Sequence, residues 1–164
     1  MTGGNPMAQP TPAAAPQAGG TTERKPAGAA AYARFGAAEN GAAGRLKDAM
    51  TRHPGMVGGT GRPCTDLMAA FAGGLIAKIG AEGVYSAALP EHGLGISLKA
   101  EDGDMRSAPI ALVAVLQQVL NHLGDEQGLA RLKGTTHHAN QMIRNTRGIV
   151  TGALSAAGTL RFLS

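Results

Sequence analysis

The clearest periodic pattern in this chain lies after residue 106, where apolar side chains recur every three or four positions. That spacing places them on one face of a helix, and the positions are Ile110, Val113, Leu116, Val119 and Leu120. Ser107 can cap the helix, and Pro109 suits its first turn, where a missing N–H breaks no hydrogen bond. The pattern therefore predicts a helix that begins near Ser107 and ends at Leu123.

Three short apolar runs upstream of that helix predict consecutive β-strands, at residues 75–79, 83–89 and 93–99. In the third run Leu94, Ile96 and Leu98 alternate with small or polar residues, which is the period of a half-buried strand. The runs are separated by residues 80–82 and 90–92. Such short connections require neighbouring strands to be antiparallel.

The rest of the chain alternates predicted elements with glycine- and proline-rich breaks. These elements are a helix over residues 29–52 that is interrupted near 39–44, a glycine-rich loop over 56–63, a short helix over 65–71, a polar helix and loop over 125–140, and a C-terminal strand over 148–154. Together they predict an α+β fold, in which helices flank a central antiparallel sheet of the three consecutive strands plus the C-terminal strand. Residues 1–28 are rich in Pro, Ala and Gly and are expected to be a disordered tail, which leaves 29–164 as the folded domain.

Charge and composition narrow the possible partners. The 15 basic and 11 acidic residues give a net charge of +4, but they are scattered, and aromatic residues make up only 3% of the chain. Nucleic-acid-binding proteins cluster basic side chains on one face, so nucleic acid is not an expected partner. The N-terminus does not resemble a signal peptide, and no apolar run approaches the roughly 20 residues that span a bilayer. A cytoplasmic protein without a membrane partner is therefore expected.

Lys78 is the main candidate for chemistry, because it interrupts the first apolar strand. An unpaired charge is costly in a central strand, so the pattern alone favours an edge strand whose lysine faces solvent. The second interpretation is the Lys-x-Gly strand of a serine–lysine hydrolase. There Gly80 leaves room for substrate, and the amine of Lys78 takes or relays the proton of a nucleophile. Glu82, in the next turn, either binds an amine, pairs with Lys78 or is a solvated turn residue.

The remaining polar residues give weaker signals. Ser86 and Ser97 fall on the second and third strands without a nearby base in sequence, and the chain contains no Ser-x-x-Lys motif. The adjacent residues His137 and His138 predict a surface pair, because neighbours on one element converge poorly on a metal ion. Cys64 is the single cysteine, which excludes an internal disulfide, and it is expected to be a passive thiol.

Two blocks carry a resemblance to a known family: residues 78–84, Lys-Ile-Gly-Ala-Glu-Gly-Val, and residues 59–62, Gly-Thr-Gly-Arg. With weaker matches at 52–58, 65–68, 85–90, 93–99 and 144–152, they resemble the C-terminal half of the class 3, rhizobial-type L-asparaginases. The resemblance covers roughly residues 31–161. It implies a partial serine β-lactamase-like fold, similar to that of glutaminases.

The resemblance also implies an activity and a set of site residues. Members of the family hydrolyse L-asparagine to L-aspartate and ammonia with a serine nucleophile that lysines activate. Lys78 matches the strand lysine that pairs with this serine. The same resemblance implies substrate-binding roles for Gly80, Glu82, Arg62 and Thr60.

This chain departs from the family pattern in its first part. The Ser-x-x-Lys motif and the zinc ligands of the family lie in its N-terminal half, where this sequence has its Pro/Ala-rich tail. Cys64 matches no family zinc ligand, so neither a metal nor another cofactor is expected. A chain without the nucleophile is expected to be inactive alone and to need a missing N-terminal half, or a second copy, as partner. The alternatives are a non-catalytic interaction module and another serine–lysine amide hydrolase that acts on glutamine or a β-lactam.

Overall fold

The computed structural model describes residues 27–163, and within this range the chain forms helices and two small antiparallel sheets. The helices are α1 (Ala27–Gly36), α2 (Gly41–Arg52), α3 (Pro54–Gly58), α4 (Pro63–Phe71), α5 (Ser107–Leu123) and α6 (Glu126–Lys133). The strands are β1 (Ile76–Ile79), β2 (Val84–Leu89), β3 (Leu94–Lys99), β4 (Asn140–Arg144) and β5 (Val150–Ser155). The α+β class is therefore confirmed. The predicted disorder of residues 1–28 falls almost wholly outside the described residues, and Ala27 and Gly28 open α1.

The three predicted consecutive strands form one sheet in the order β1–β2–β3, and each neighbouring pair is antiparallel. The register places Lys78 opposite Ser86 and Ser86 opposite Ser97. Because side chains directly opposite each other share a face of the sheet, these three residues form a row across it. Strand β1, which carries Lys78, is an edge strand, as the simpler interpretation of this lysine requires.

The C-terminal strand corrects one part of the predicted sheet. Strand β5 exists close to the predicted residues, but it pairs with β4 in a separate two-stranded sheet and does not join the central one. A local turn decides this pairing: the side-chain amide oxygen of Asn145 accepts hydrogen bonds from the N–H groups of Arg147 and Ile149. A turn that is closed by its own residues makes pairing with the adjacent segment easier than pairing with a distant strand.

The main core lies between one face of the central sheet and helices α4, α5 and α6. Its largest buried side chains include Tyr85, Phe71, Leu67, Met68, Leu75, Leu112, Leu116 and Leu120. Full burial of one such apolar side chain contributes about 1.5–3 kcal/mol relative to exposure. The apolar face of α5 inferred from the sequence is therefore the face that supports the sheet, and its confirmed bounds are Ser107–Leu123.

Helix α1 covers the opposite face of β2 and β3 at close range. Small residues allow this approach: a Cβ atom at Gly36 would lie 2.9 Å from the Cβ of Ala88, and one at Gly95 would collide with the backbone of Ala29. The sheet is thus covered on both faces along β2 and β3. The face of β1 is covered less completely, and this is where Lys78 lies.

The predicted break between α2 and α4 contains a further helix. Helix α2 ends at Arg52, as predicted, but Pro54 then begins α3, whose residues 56–58 lie in the segment expected to be a glycine-rich loop. Proline has no N–H to lose at a first helical position and its φ angle suits a helix, so the same residue ends one helix and starts the next. Among residues 27–163, no helix has the length and apolar character needed to cross a membrane.

Candidate functional site

Lys78 lies at the rim of an open cavity of about 580 Å³ beside the edge strand β1. The other lining residues come from α1, α2 and α3 and are mostly apolar: Ala31, Tyr32, Phe35, Leu46, Met50, Met56 and Val57. Lys78 itself is half-buried, and its Nζ atom donates a hydrogen bond of 3.0 Å to the carbonyl oxygen of Ile79. A polar amine is therefore held at the edge of a largely apolar wall.

Two serines share the face of the sheet on which Lys78 stands. Ser86 is the cross-strand neighbour of Lys78, and such neighbours have Cβ atoms about 4.5–5.5 Å apart. Ser97 follows on β3. A Cβ atom at Gly28 would lie 2.8 Å from the Oγ of Ser97 and 4.0 Å from that of Ser86, so the start of α1 covers both hydroxyl groups. The sequence did not indicate this row, because it depends on the strand register.

Gly80 and Glu82 form the turn that follows Lys78. The N–H of Gly80 donates to the carbonyl of Val84 at 2.8 Å and closes the hairpin, while Glu82 is exposed and has a φ of 54°. The carbonyl oxygen of Glu82 accepts a hydrogen bond from the Nζ of Lys99. Within residues 27–163, no ion pair joins Lys78 and Glu82, and the proposed pairing between them is not formed.

Arg62 and Thr60 lie apart from Lys78. Both are exposed, Thr60 in the loop between α3 and α4 and Arg62 at the N-cap of α4. Arg62 lines a second cavity, of about 590 Å³. This cavity reaches Ile79, and Ile79 and Lys78 point to opposite faces of β1 because successive strand residues alternate. Of the predicted site residues, Lys78 and Arg62 therefore line two different cavities on either side of β1, and Thr60, Gly80 and Glu82 line neither.

Cys64 lines the second cavity and links helix α4 to strands β1 and β2 through its sulfur atom. Its Sγ atom is 2.9 Å from the Oη of Tyr85 and accepts the N–H of Ile79 at 3.2 Å, on the free edge of β1. Burial raises the pKa of Tyr85, and the nearby Cys64 raises it further. Burial, with a smaller contribution from Cys64, also raises the pKa of Tyr32. The thiol is therefore a buried, hydrogen-bonded group of the wall.

A cluster of metal-ligating side chains lies beside the same cavity. The Nε2 atoms of His138 and His137 approach one carboxylate oxygen of Asp66, at 2.8 Å and 3.4 Å. Asp66 stands in the first turn of α4, and the histidines stand in a 3₁₀ turn that precedes β4. The sequence predicts only a surface pair here, because the third member is 71 residues away from His137. The fold brings the three donors together.

The other histidine–carboxylate pair has a structural role. The Nε2 of His92 lies 2.9 Å from Asp125, whose side chain also accepts the N–H of Gly128 at 2.7 Å and so caps α6. These hydrogen bonds, first that of Gly128 and then that of His92, lower the pKa of Asp125. Asp125 thus stabilises a helix start, as N-cap aspartates do.

The structure defines an α+β protein with a lysine on the edge strand of a small antiparallel sheet and a largely apolar cavity beside that lysine. The family model of L-asparaginase II matches residues 26–156 of this chain. The match spans well over half of the 164 residues, and the chain belongs to the L-asparaginase II family. No curated protein sequence gives a significant match to it.

Proposed function

We propose that this chain provides one wall of an amide-hydrolysing site that converts L-asparagine to L-aspartate and ammonia. Membership of the L-asparaginase II family supports the reaction class. The observation that carries the proposal is the position of Lys78, whose amine is held at the rim of an open, mostly apolar cavity. A substrate amide in such a cavity would meet the amine and be partly shielded from water.

The role proposed for Lys78 is to take or relay the proton of a serine hydroxyl as it attacks the amide carbon. A serine is a weak nucleophile until a neighbouring base removes its proton. The same lysine then gives that proton to the nitrogen of the breaking C–N bond, which leaves as ammonia. A water molecule hydrolyses the acyl-serine ester that remains, which releases L-aspartate and restores the serine hydroxyl. This proton transfer requires no metal or organic cofactor.

The nucleophile in this proposal comes from a partner segment that carries a Ser-x-x-Lys motif, such as the N-terminal half of a family member, because a second copy of this chain has no such motif. Ser86 and Ser97 are poor candidates, because α1 covers their hydroxyl groups. The apolar cavity rim supports a covering segment: Met56 is 90% exposed and Leu46 is 56% exposed. Large apolar side chains that are exposed together are typical of surfaces that bind another protein surface.

The substrate-binding residues belong to the same proposal. Gly80 and Glu82 follow Lys78 in the turn and are near enough in sequence to contact a substrate bound at its amine. Arg62 lines the second cavity, and Thr60 lies in the loop between α3 and α4. A substrate-binding role for either residue therefore requires a substrate or partner that reaches around the end of β1. The rates of ammonia release by variants of Gly80 and Glu82 should therefore be compared separately from those of Arg62 and Thr60 variants.

The test is ammonia release from L-asparagine, measured with the purified chain alone and with a separately produced Ser-x-x-Lys half from an intact family member. We expect no release from the chain alone and release on mixing. Lys78→Ala should then reduce the rate by about 100-fold or more, since a positioned proton-transfer group contributes about 10²–10⁴. Lys133→Ala, on the exposed end of α6, is the matched control and should not change the rate.

Two results would contradict the proposal. Full activity of Lys78→Ala in the mixture would remove the role given to this lysine. Release by the chain alone would mean that one of its own residues is the nucleophile. L-glutamine and a chromogenic β-lactam, assayed in the same mixture, separate asparagine hydrolysis from the related serine–lysine reactions.

A second candidate function is a non-catalytic interaction module. It is favoured by the exposed apolar residues of the β4–β5 hairpin, where Met142 is 58% exposed and Ile149 is 57% exposed. A module of this kind should self-associate or capture a partner through these side chains. Sedimentation of the purified chain, together with a failure of every mixture to release ammonia, would favour this function over hydrolysis.

A further inference from the structure

Asp66, His137 and His138 form a group of three donor atoms that all lie within 4.8 Å of one another. Both imidazole Nε2 atoms face one oxygen of Asp66, and the two rings lie 3.9 Å apart at an angle of 44°. An ionised carboxylate oxygen has two lone pairs, and here two rings approach the same oxygen. Convergence of several donors on one point is the arrangement that a bound cation requires.

We propose that these three residues form a binding site for a divalent transition-metal ion of the zinc type. Two imidazole nitrogens and one carboxylate oxygen are a donor set that Zn²⁺ accepts, with bonds of about 2.0–2.2 Å. Tetrahedral coordination at those lengths separates the ligand atoms by about 3.3 Å. The separations from Asp66 are 2.8 Å to His138 and 3.4 Å to His137, which are close to that value, and the two imidazole nitrogens lie within 4.8 Å of each other.

The fold holds the ligands in place from both sides. Asp66 stands on α4, which is packed into the core through its neighbours Leu67 and Met68. The histidine turn is anchored by Thr135, a buried residue whose Oγ1 donates to the carbonyl of Leu132 at 2.8 Å. The side chain of His138 is only 12% exposed. The site therefore does not depend on long, free side chains to assemble.

The second cavity offers a place for a further ligand on the metal. His137 and His138 line this cavity together with Arg62 and Arg106. Three protein ligands and one open position are typical of zinc sites that bind water or a small molecule. Arg106 already pairs with Asp104 at 3.1 Å, so Arg62 is the residue that would favour an anionic ligand, such as a carboxylate, in that position. Cys64 is not included, because Tyr85 and the N–H of Ile79 already occupy its sulfur.

This site goes beyond the proposed function, because Lys78 lies on the other side of β1 and its proton transfer needs no metal. The simpler explanation of the cluster is a hydrogen-bonded link between α4 and the histidine turn. The metal-site explanation predicts that added metal ions bind here, and the hydrogen-bonded link predicts that they do not. Metal binding is measured independently of ammonia release.

The test is a calorimetric titration of the metal-free full chain with Zn²⁺, supported by the visible absorption of Co²⁺ in the same protein. We expect one ion per chain, and a Co²⁺ spectrum of tetrahedral intensity. Asp66→Asn and His138→Ala should each weaken Zn²⁺ binding by at least about 10- to 100-fold, since the loss of even an outer partner of a metal ligand has that effect. His92→Ala is the matched control and should leave binding unchanged. It removes a histidine that pairs with a carboxylate at 2.9 Å but that has no third metal-ligating group beside it among residues 27–163.

The proposal is overturned if the unmodified chain takes up no Zn²⁺, or if Asp66→Asn and His138→Ala bind it as tightly as His92→Ala does. A second measurement needs no variant and guards against loss of folding. The chain has five histidines, and Zn²⁺ should shift the imidazole NMR signals of His137 and His138 while those of His53, His92 and His122 stay in place. Equal shifts of all five would indicate non-specific binding and would also overturn the proposal.

Discussion

The sulfur of Cys64 lies 2.9 Å from the phenolic oxygen of Tyr85, and both residues are buried. Because the same sulfur accepts the N–H of Ile79, this contact links the start of α4 to the outer edge of β1 and to the middle strand β2. It thereby protects part of an edge strand whose backbone groups would otherwise be open to pairing.

The Cys64–Tyr85 contact predicts unequal effects of its two truncations. Tyr85→Phe removes one hydrogen bond but leaves the sulfur bonded to Ile79, and should lower the free energy of unfolding by about 0.5–1.5 kcal/mol. Cys64→Ala leaves both the buried hydroxyl of Tyr85 and the N–H of Ile79 without this partner. It should therefore lower the free energy of unfolding by about 1–3 kcal/mol for each unsatisfied group. Urea denaturation followed by circular dichroism measures both values.

The double variant Cys64→Ala/Tyr85→Phe is the control for this comparison. It should be less destabilised than the sum of the two single variants, because it does not leave the tyrosine hydroxyl buried and unpaired. Strict additivity would mean that the sulfur and the hydroxyl do not interact.

The two tyrosine hydroxyl groups are expected to ionise at a higher pH in the folded protein than in the unfolded chain. The chain has only Tyr32 and Tyr85, and burial raises both pKa values above the ordinary value of 10.0. Near-ultraviolet absorbance should therefore show little tyrosinate at pH 10 in the native protein, and about half-ionised tyrosine when the chain is unfolded in urea. Identical titration curves for the two states would show that the tyrosines are not buried.

The same raised pKa of Tyr85 sets the direction of a stability change. A group whose folded pKa exceeds its unfolded pKa contributes stability that is complete below the unfolded value, here 10.0, and is lost as the pH rises above it. The free energy of unfolding should therefore fall more steeply above pH 10 in the unmodified chain than in Tyr85→Phe. Parallel curves for the two proteins would contradict this linkage.

The close packing of α1 on β3 predicts a large effect of a single methyl group. A Cβ atom at Gly95 would collide with backbone atoms of Ala29 and Ala33, which cannot move without displacing the helix. Gly95→Ala should therefore lower the free energy of unfolding by about 1–3 kcal/mol, as overpacking of a core does, and should speed proteolysis within α1. Thermal denaturation and limited proteolysis measure these effects.

Gly55→Ala is the matched control for Gly95→Ala. An added Cβ at Gly55 meets no atom within 4 Å, and the residue lies in a helix, where alanine is favoured over glycine by up to about 1 kcal/mol. It should be neutral or slightly stabilising. Equal losses of stability at the two positions would mean that α1 does not contact β3 as described.

The sequence predicted the local elements of this protein well where the apolar pattern was strong. The three strands of the central sheet and helix α5 lie within one or two residues of their predicted bounds. Strand β4 was missed, because its residues are all exposed and carry no alternation of buried and solvent-facing positions. Helix α3 was missed because proline and glycine mark a break in the chain, and the same residues also suit a helix start.

The sequence by itself also determined the candidate lysine and the family, because these depend on residue identity and order along the chain. Lys78 and the blocks around it are visible without any fold, and the family match agrees with them. Only the tertiary structure decided which of these residues meet. It separated Arg62 from Lys78, set Ser86 beside that lysine, and joined Asp66 to His137 and His138. Such distances depend on strand register and helix packing, which are set by contacts between residues far apart in the chain, and no local pattern of residues encodes them.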